Sequence, residues 1–131
     1  MVGPFGADAA FLDTALARVF AGCAVDPTRV TLGGISDGAT YALALGLLNG
    51  DLFTGMVAFS PGFLAASSQN GVPRIFISHG TGDEILPIDR CSRRLAPAMQ
   101  RAGYEVVYRE FDGGHTVPAE IAQAAMDWFT E

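Results

Sequence analysis

Gly34-Ile35-Ser36-Asp37-Gly38 places a serine between two glycines, where a β-branched run gives way to a small, apolar one. A hydroxyl on such a strand-to-helix turn is pushed out above the sheet, and flanking glycines let the backbone close tightly around it. The chemistry this suits is nucleophilic attack. The turn is also a helix N-terminus, so the backbone N–H of Asp37 points to where an oxyanion would form, and the dipole favours negative charge there. A serine hydroxyl attacks poorly unless a base takes its proton, and the chain has 2 histidines, His79 and His115. His79 terminates a strand beside Gly80, whereas His115 closes Asp112-Gly113-Gly114-His115 in a loop after a strand. On a serine elbow the acid precedes the histidine in the chain, and His115 alone follows a carboxylate in a suitable strand-end loop. We expect His115 to be the base and His79 to be a structural, hydrogen-bonded strand end.

A third group must orient the imidazole. The loop His79-Gly80-Thr81-Gly82-Asp83-Glu84 supplies Asp83 and, as the lesser candidate, Glu84. Asp89 falls in the following helix. Asp112 shares a tight glycine-rich turn with His115, where a carboxylate more often caps the turn than reaches a ring nitrogen. The expected triad is Ser36, Asp83 and His115.

These residues need elements to hold them. Asp8 to Ala21, with Ala9, Leu12, Leu16, Val19 and Phe20 at three-four spacing, predicts an amphipathic helix packed on something. Gly22 and Asp26-Pro27 end it. Arg29 to Gly33 predicts a strand that stops at a glycine pair, and Gly38 to Leu48 a buried helix ended by Asn49-Gly50. Gly55 to Ser60 and Pro73 to Ser78 predict two further strands, closed by Pro61-Gly62 and His79-Gly80. Pro87 to Ala102 predicts a helix with a kink at Pro97, Glu105 to Phe111 a fourth strand, and Pro118 to Thr130 a last helix. Strands and helices mostly alternate, so the sheet should be parallel, and its sites should lie at the C-terminal strand ends.

The 131 residues fit one domain, 1–131. All 8 basic residues are arginine, but a net charge of −6 and an isoelectric point near 4.7 argue against a nucleic-acid partner. The N-terminal sequence lacks a basic segment followed by an apolar run, so a cytoplasmic location is expected. The uncharged stretch Leu52 to Pro73 is broken by Ser60-Pro61-Gly62 and by Ser67 to Asn70, so no membrane span is expected. Cys23 and Cys91 lack any CxxC or histidine spacing and read as buried free thiols. There is no HExxH and there are few histidines, so we expect no metal and no cofactor.

Asp26-Pro27-x-Arg29-Val30 leading into Gly34-Ile35-Ser36-Asp37-Gly38, then Phe59-Ser60-Pro61-Gly62, His79-Gly80-Thr81-Gly82-Asp83 with Leu86-Pro87, and Gly113-Gly114-His115 form a series. It resembles the phospholipase/carboxylesterase and dienelactone-hydrolase-like branch of the α/β-hydrolases. The resemblance implies Ser36 as nucleophile, His115 as base, Asp83 as acid and the Asp37 amide as one oxyanion donor. The reaction implied is hydrolysis of a carboxylic ester through an acyl-enzyme. Phe59, Phe63, Leu86 and Val117 would line an open acyl pocket for small or short-acyl esters, although ordinary core roles are equally open to them.

The family has about eight strands, several of them before the nucleophile. Here one helix and one strand precede Ser36, so a truncated α/β-hydrolase is expected, with about four parallel strands in sequential order. The family's second oxyanion donor comes from a loop before that region, leaving Gly3 to Gly6 or a partner chain as substitutes. Val30 to Gly34 would become a bare edge strand, and all right-handed crossovers would fall on one face. Together with a mean hydropathy of +0.30, this predicts a homodimer. The alternative reading is a non-catalytic half-hydrolase, a fragment or a binding module, that keeps an inherited triad.

Overall fold

In the computed structural model, which describes residue 1, residues 6–64 and residues 68–131, the chain alternates helix and strand almost throughout. The order is α1 (Gly6–Gly22), β1 (Thr31–Ile35), α2 (Asp37–Leu48), β2 (Gly55–Phe59), β3 (Arg74–Gly80), α3 (Ser92–Arg101), β4 (Val106–Phe111) and α4 (Ala119–Thr130). The strands form one parallel sheet in the order β1-β2-β3-β4. A connection that returns along one face before each new strand permits no other direction.

Side chains alternate across the sheet and build two cores. On one face Met56, Ala58, Ile75 and Ile77 meet Ala39, Leu43 and Leu47 of α2 and Leu95, Ala96 and Met99 of α3. On the other, Phe76 meets Ile121, Ala125 and Trp128 of α4, with Val57, Phe59 and Val107 packed beside them. Both helices that connect strands thus lie on one face, as right-handed crossovers in chain order require. The other is left largely to α4. Trp128 anchors that helix: its ring lies 5.8 Å from that of Phe76, and the Arg74 guanidinium sits 4.7 Å above it. Arg29 Nη2 donates to the carbonyls of Phe129 and Thr130, satisfying the last turn of α4.

Three expectations shift. The first strand runs from Thr31 to Ile35 rather than from Arg29 to Gly33, because Gly33 and Gly34 pair in register with Val57 and Ala58 instead of ending it. Asp26 bonds the Thr28 amide and hydroxyl, which holds the preceding segment in a turn. The third helix begins at Ser92 rather than Pro87, since residues 87–91 make turns closed on the Pro87 and Ile88 carbonyls. Pro97 lies inside it. Finally, α1 is poorly covered, burying only Ala9 among the described residues while Phe11, Val19 and Phe20 are 72%, 46% and 39% exposed. The outer edge of β1 has no neighbouring strand among the described residues.

Candidate active site

Ser36 stands where β1 turns into α2. Its amide donates to the Phe59 carbonyl at 2.9 Å, and its carbonyl accepts the amides of Ala39 and Thr40 at 3.0 and 3.1 Å. One residue therefore ends the ladder and starts the helix. Doing both forces φ 57° and ψ −125°, a left-handed conformation that costs a non-glycine residue on the order of 1–3 kcal/mol. Gly34 makes the turn possible: a Cβ there would lie 2.4 Å from the Gly38 carbonyl oxygen and 2.8 Å from the Ala39 nitrogen. Gly38 is different. A Cβ there would meet nothing within 4 Å, so the expectation that tight packing demands glycine on both sides holds for Gly34 and fails for Gly38. Asp37 opens α2, where first-turn amides have no acceptor within the helix.

The loops after β3 and β4 are stitched backbone to backbone. Thr81 donates to the Phe111 carbonyl and Gly82 to that of Gly113, both at 2.9 Å. A Cβ on Gly80 would lie 2.3 Å from the Gly114 oxygen and 2.4 Å from that of Gly113. This contact carries Asp83 and His115 to each other: His115 Nδ1 lies 2.7 Å from Asp83 Oδ2. Asp83 Oδ1 accepts the amides of Ile85 and Leu86 at 2.9 and 2.8 Å, a local turn that fixes the carboxylate. Burial works to raise the Asp83 carboxyl, but the bonds from His115, Leu86 and Ile85 together outweigh it and hold it below the ordinary carboxylate value. A carboxylate only accepts, so the His115 hydrogen is on Nδ1 and the neutral ring offers Nε2 as an acceptor. The Asp83 side chain is fully enclosed, while that of His115 is 19% exposed.

His79 is a buried, hydrogen-bonded strand end, as expected, with Nδ1 2.7 Å from Ser92 Oγ and Nε2 2.7 Å from the Leu86 carbonyl. Sequence reasoning missed that His79 Nε2 also lies 3.1 Å from Asp83 Oδ2. Beside it on β4, Glu110 pairs in register with His79 and is gripped by Arg93 through Nε and Nη2, at 2.8 and 2.9 Å.

Glu84 and Asp112, the other carboxylates near the loops, are exposed. Phe59 packs edge-on against Phe76, and Val117 joins the same α4-side core. Phe63 is 77% exposed. Leu86 is half-buried, its backbone engaged by Asp83 and His79. Of the substitutes for a second oxyanion donor, Gly3, Pro4 and Phe5 lie outside the described residues. Gly6 opens α1 and is exposed.

A family model described as phospholipase/carboxylesterase matches residues 9–130. Acyl-protein thioesterase 1 of Gibberella zeae is 28% identical over 106 residues, which are 72% of this chain and 45% of that protein. Among solved structures, esterase PE8 superposes with a TM-score of 0.79 at 25% identity, covering 92% of this chain and 58% of the other. The Bacillus cereus carboxylesterase gives 0.73 at 23%, covering 92% and 56%. The chain thus spans about half the length of these proteins.

Proposed function

The chain belongs to the phospholipase/carboxylesterase family of α/β-hydrolases, and from that premise we propose that it is a serine ester hydrolase acting on small or short-acyl esters. The observation that carries this reading is the 2.7 Å bond joining Asp83 to His115 across two strand-end loops, at the end of the sheet where Ser36 sits on its strained turn. In the proposed reaction Ser36 Oγ attacks the acyl carbonyl while His115 Nε2 takes its proton. Asp83 holds the ring and stabilises the imidazolium. The Asp37 amide donates to the oxyanion, and the alcohol leaves with the proton from His115. Water, activated by the same base, then releases the acid from the acyl-enzyme.

A fluorophosphonate probe should label Ser36, and Ser36→Ala should lose labelling together with about 10³-fold or more of p-nitrophenyl acetate hydrolysis. No labelling, and equal rates for the two proteins, would falsify the reading. We further propose a homodimer joined along β1. An open strand edge invites pairing, Ile35 is 45% exposed there, and an apolar groove of about 360 Å³ runs beside it, lined by Thr31, Gly33, Val57, Phe59, Met126 and Phe129 among others. Sedimentation should give twice the chain mass at micromolar concentration; a stable monomer overturns the dimer.

The non-catalytic reading draws its support from length, since the chain spans 45% of the curated relative. It predicts folding or assembly without turnover, and Ser36 labelling separates the two.

A further inference from the structure

Asp83 receives more donors than the orientation of one imidazole requires. Its Oδ1 takes the Ile85 and Leu86 amides, and its Oδ2 faces both His115 Nδ1 at 2.7 Å and His79 Nε2 at 3.1 Å. The His115 and amide contacts are hydrogen bonds, whereas His79 Nε2 turns its hydrogen to the Leu86 carbonyl and stands beside the carboxylate. The hydrogen on His79 Nε2 is dictated by Leu86, whose carbonyl 2.7 Å away can only accept. The same nitrogen lies 3.1 Å from Asp83 Oδ2, close enough for the positive end of its N–H to act on the carboxylate through space. In the neutral ring Nδ1 must then accept, and Ser92 Oγ, 2.7 Å away and fully buried, donates to it.

We propose that His79 is a positioning residue for the acid–base pair: its ring, in the form fixed by the Leu86 carbonyl, anchors the turn that holds Asp83 and sets its N–H end 3.1 Å from Asp83 Oδ2, beside His115. The proposal rests on the reading of His115 as the base. A second imidazole beside the carboxylate has two effects. It ties the Asp83 loop back to β3, so the side chain cannot swing toward solvent. It also spreads the carboxylate charge, so Asp83 grips the His115 imidazolium less tightly than it would with one ring to hold.

The charged and titratable groups around His79 are few. Asp83 comes from the loop. On β4, Glu110 is held by Arg93 of α3, and the Cys91 thiol lies beside Ser92, pushed up by burial and by the Asp83 charge. Ser60, at the end of β2, donates its amide to the Ser78 carbonyl and does not titrate. Asp112 on the loop of His115 itself is exposed.

With 2 histidines in the chain, a variant at His79 leaves one imidazole, and NMR can titrate His115 with no need for turnover. In His79→Leu, which has no donor, the His115 midpoint should rise by about half a pH unit, a threefold change in its ionisation constant. The acid limb of the kcat/KM profile should move the same way, with kcat falling more than KM changes. His79→Gln restores an N–H near the ring Nε2 position and should return the midpoint to within ~0.2 of wild type. Equal midpoints in the Leu and Gln variants overturn the proposal. If the Leu variant does not fold, the wild-type protein decides: its His79 ¹⁵N shifts must place the hydrogen on Nε2, and a hydrogen on Nδ1 overturns the proposal. Ser36 labelling keeps the two readings apart: a shift without labelling overturns the hydrolase and with it the catalytic purpose of His79, leaving only its hold on the Asp83 turn, whereas labelling without a shift overturns the role of His79 alone.

Discussion

The turn after β1 and the loops after β3 and β4 lie at the same end of one parallel sheet, yet they are held in opposite ways. Asp83 is closed in from every side and holds His115, with Gly80 pressed on the Gly113 and Gly114 carbonyls, two amides on Oδ1, and His115 bonded to Oδ2 with His79 beside it. Ser36 is held from one side only. Inward, Gly34 packs against Gly38 and Ala39 and Ser36 bonds to Phe59; outward, Gly38 faces open space and β1 has no neighbouring strand among the described residues. Asp83 and His115 are thus set by contacts internal to the chain, whereas Ser36 sits on a border that is open among the described residues.

The sharpest way to break this contrast is to add one methyl on each side. Gly80→Ala must push two carbonyl oxygens apart, and we expect it to cost about 3 kcal/mol and lower Tm by roughly 10 °C. Thermal unfolding checks this, and a change under a few degrees would mean that the loops yield easily. A milder test uses acid. Arg93, with help from Tyr108, holds the Glu110 carboxyl down from the ordinary 4.5 to about 2, and Asp83 is also held low. Because both folded values are depressed, the stability they confer is complete above the unfolded values and is lost as pH falls toward the folded ones. Urea midpoints should therefore decline below pH ~4.5, and Glu110→Gln should flatten part of that decline while lowering the neutral-pH midpoint. The smallest effect belongs to the open side: Gly38→Ala, in the first turn of α2, should be neutral or stabilise by about 0.5 kcal/mol through helix propensity. A loss comparable to that of Gly80→Ala would show that a partner packs tightly over the turn.

The same contrast explains what was legible beforehand. The alternation of strands and helices, the chain-order sheet, and the pairing of Asp83 with His115 followed from local patterns: glycine turns, β-branched runs and the order of acid and base. Element ends were harder. Gly33 and Gly34 look like a stop, but both pair with β2, and the missing side chain of Gly34 lets α2 cross close above the strand. The approach of His79 to Asp83 was hidden because it depends on the Asp83 turn doubling back, and that turn is created by two backbone amides that no residue type announces. The one available signal was proximity, since His79 and Asp83 belong to a single short glycine-rich loop. The thin cover on α1 was equally out of reach, because spacing reveals an apolar stripe without revealing what meets it.

Trp128, pinned between Phe76 and the Arg74 guanidinium, has an optical consequence. It is the 1 tryptophan of the chain, so the intrinsic emission excited near the red edge of protein absorbance comes from the α4 face and from nowhere else. Detachment of that helix takes the indole away from its cation and into water, changing colour and intensity together, while events at the far end of the sheet leave its emission unchanged. The protein carries its own gauge of whether its last helix is seated.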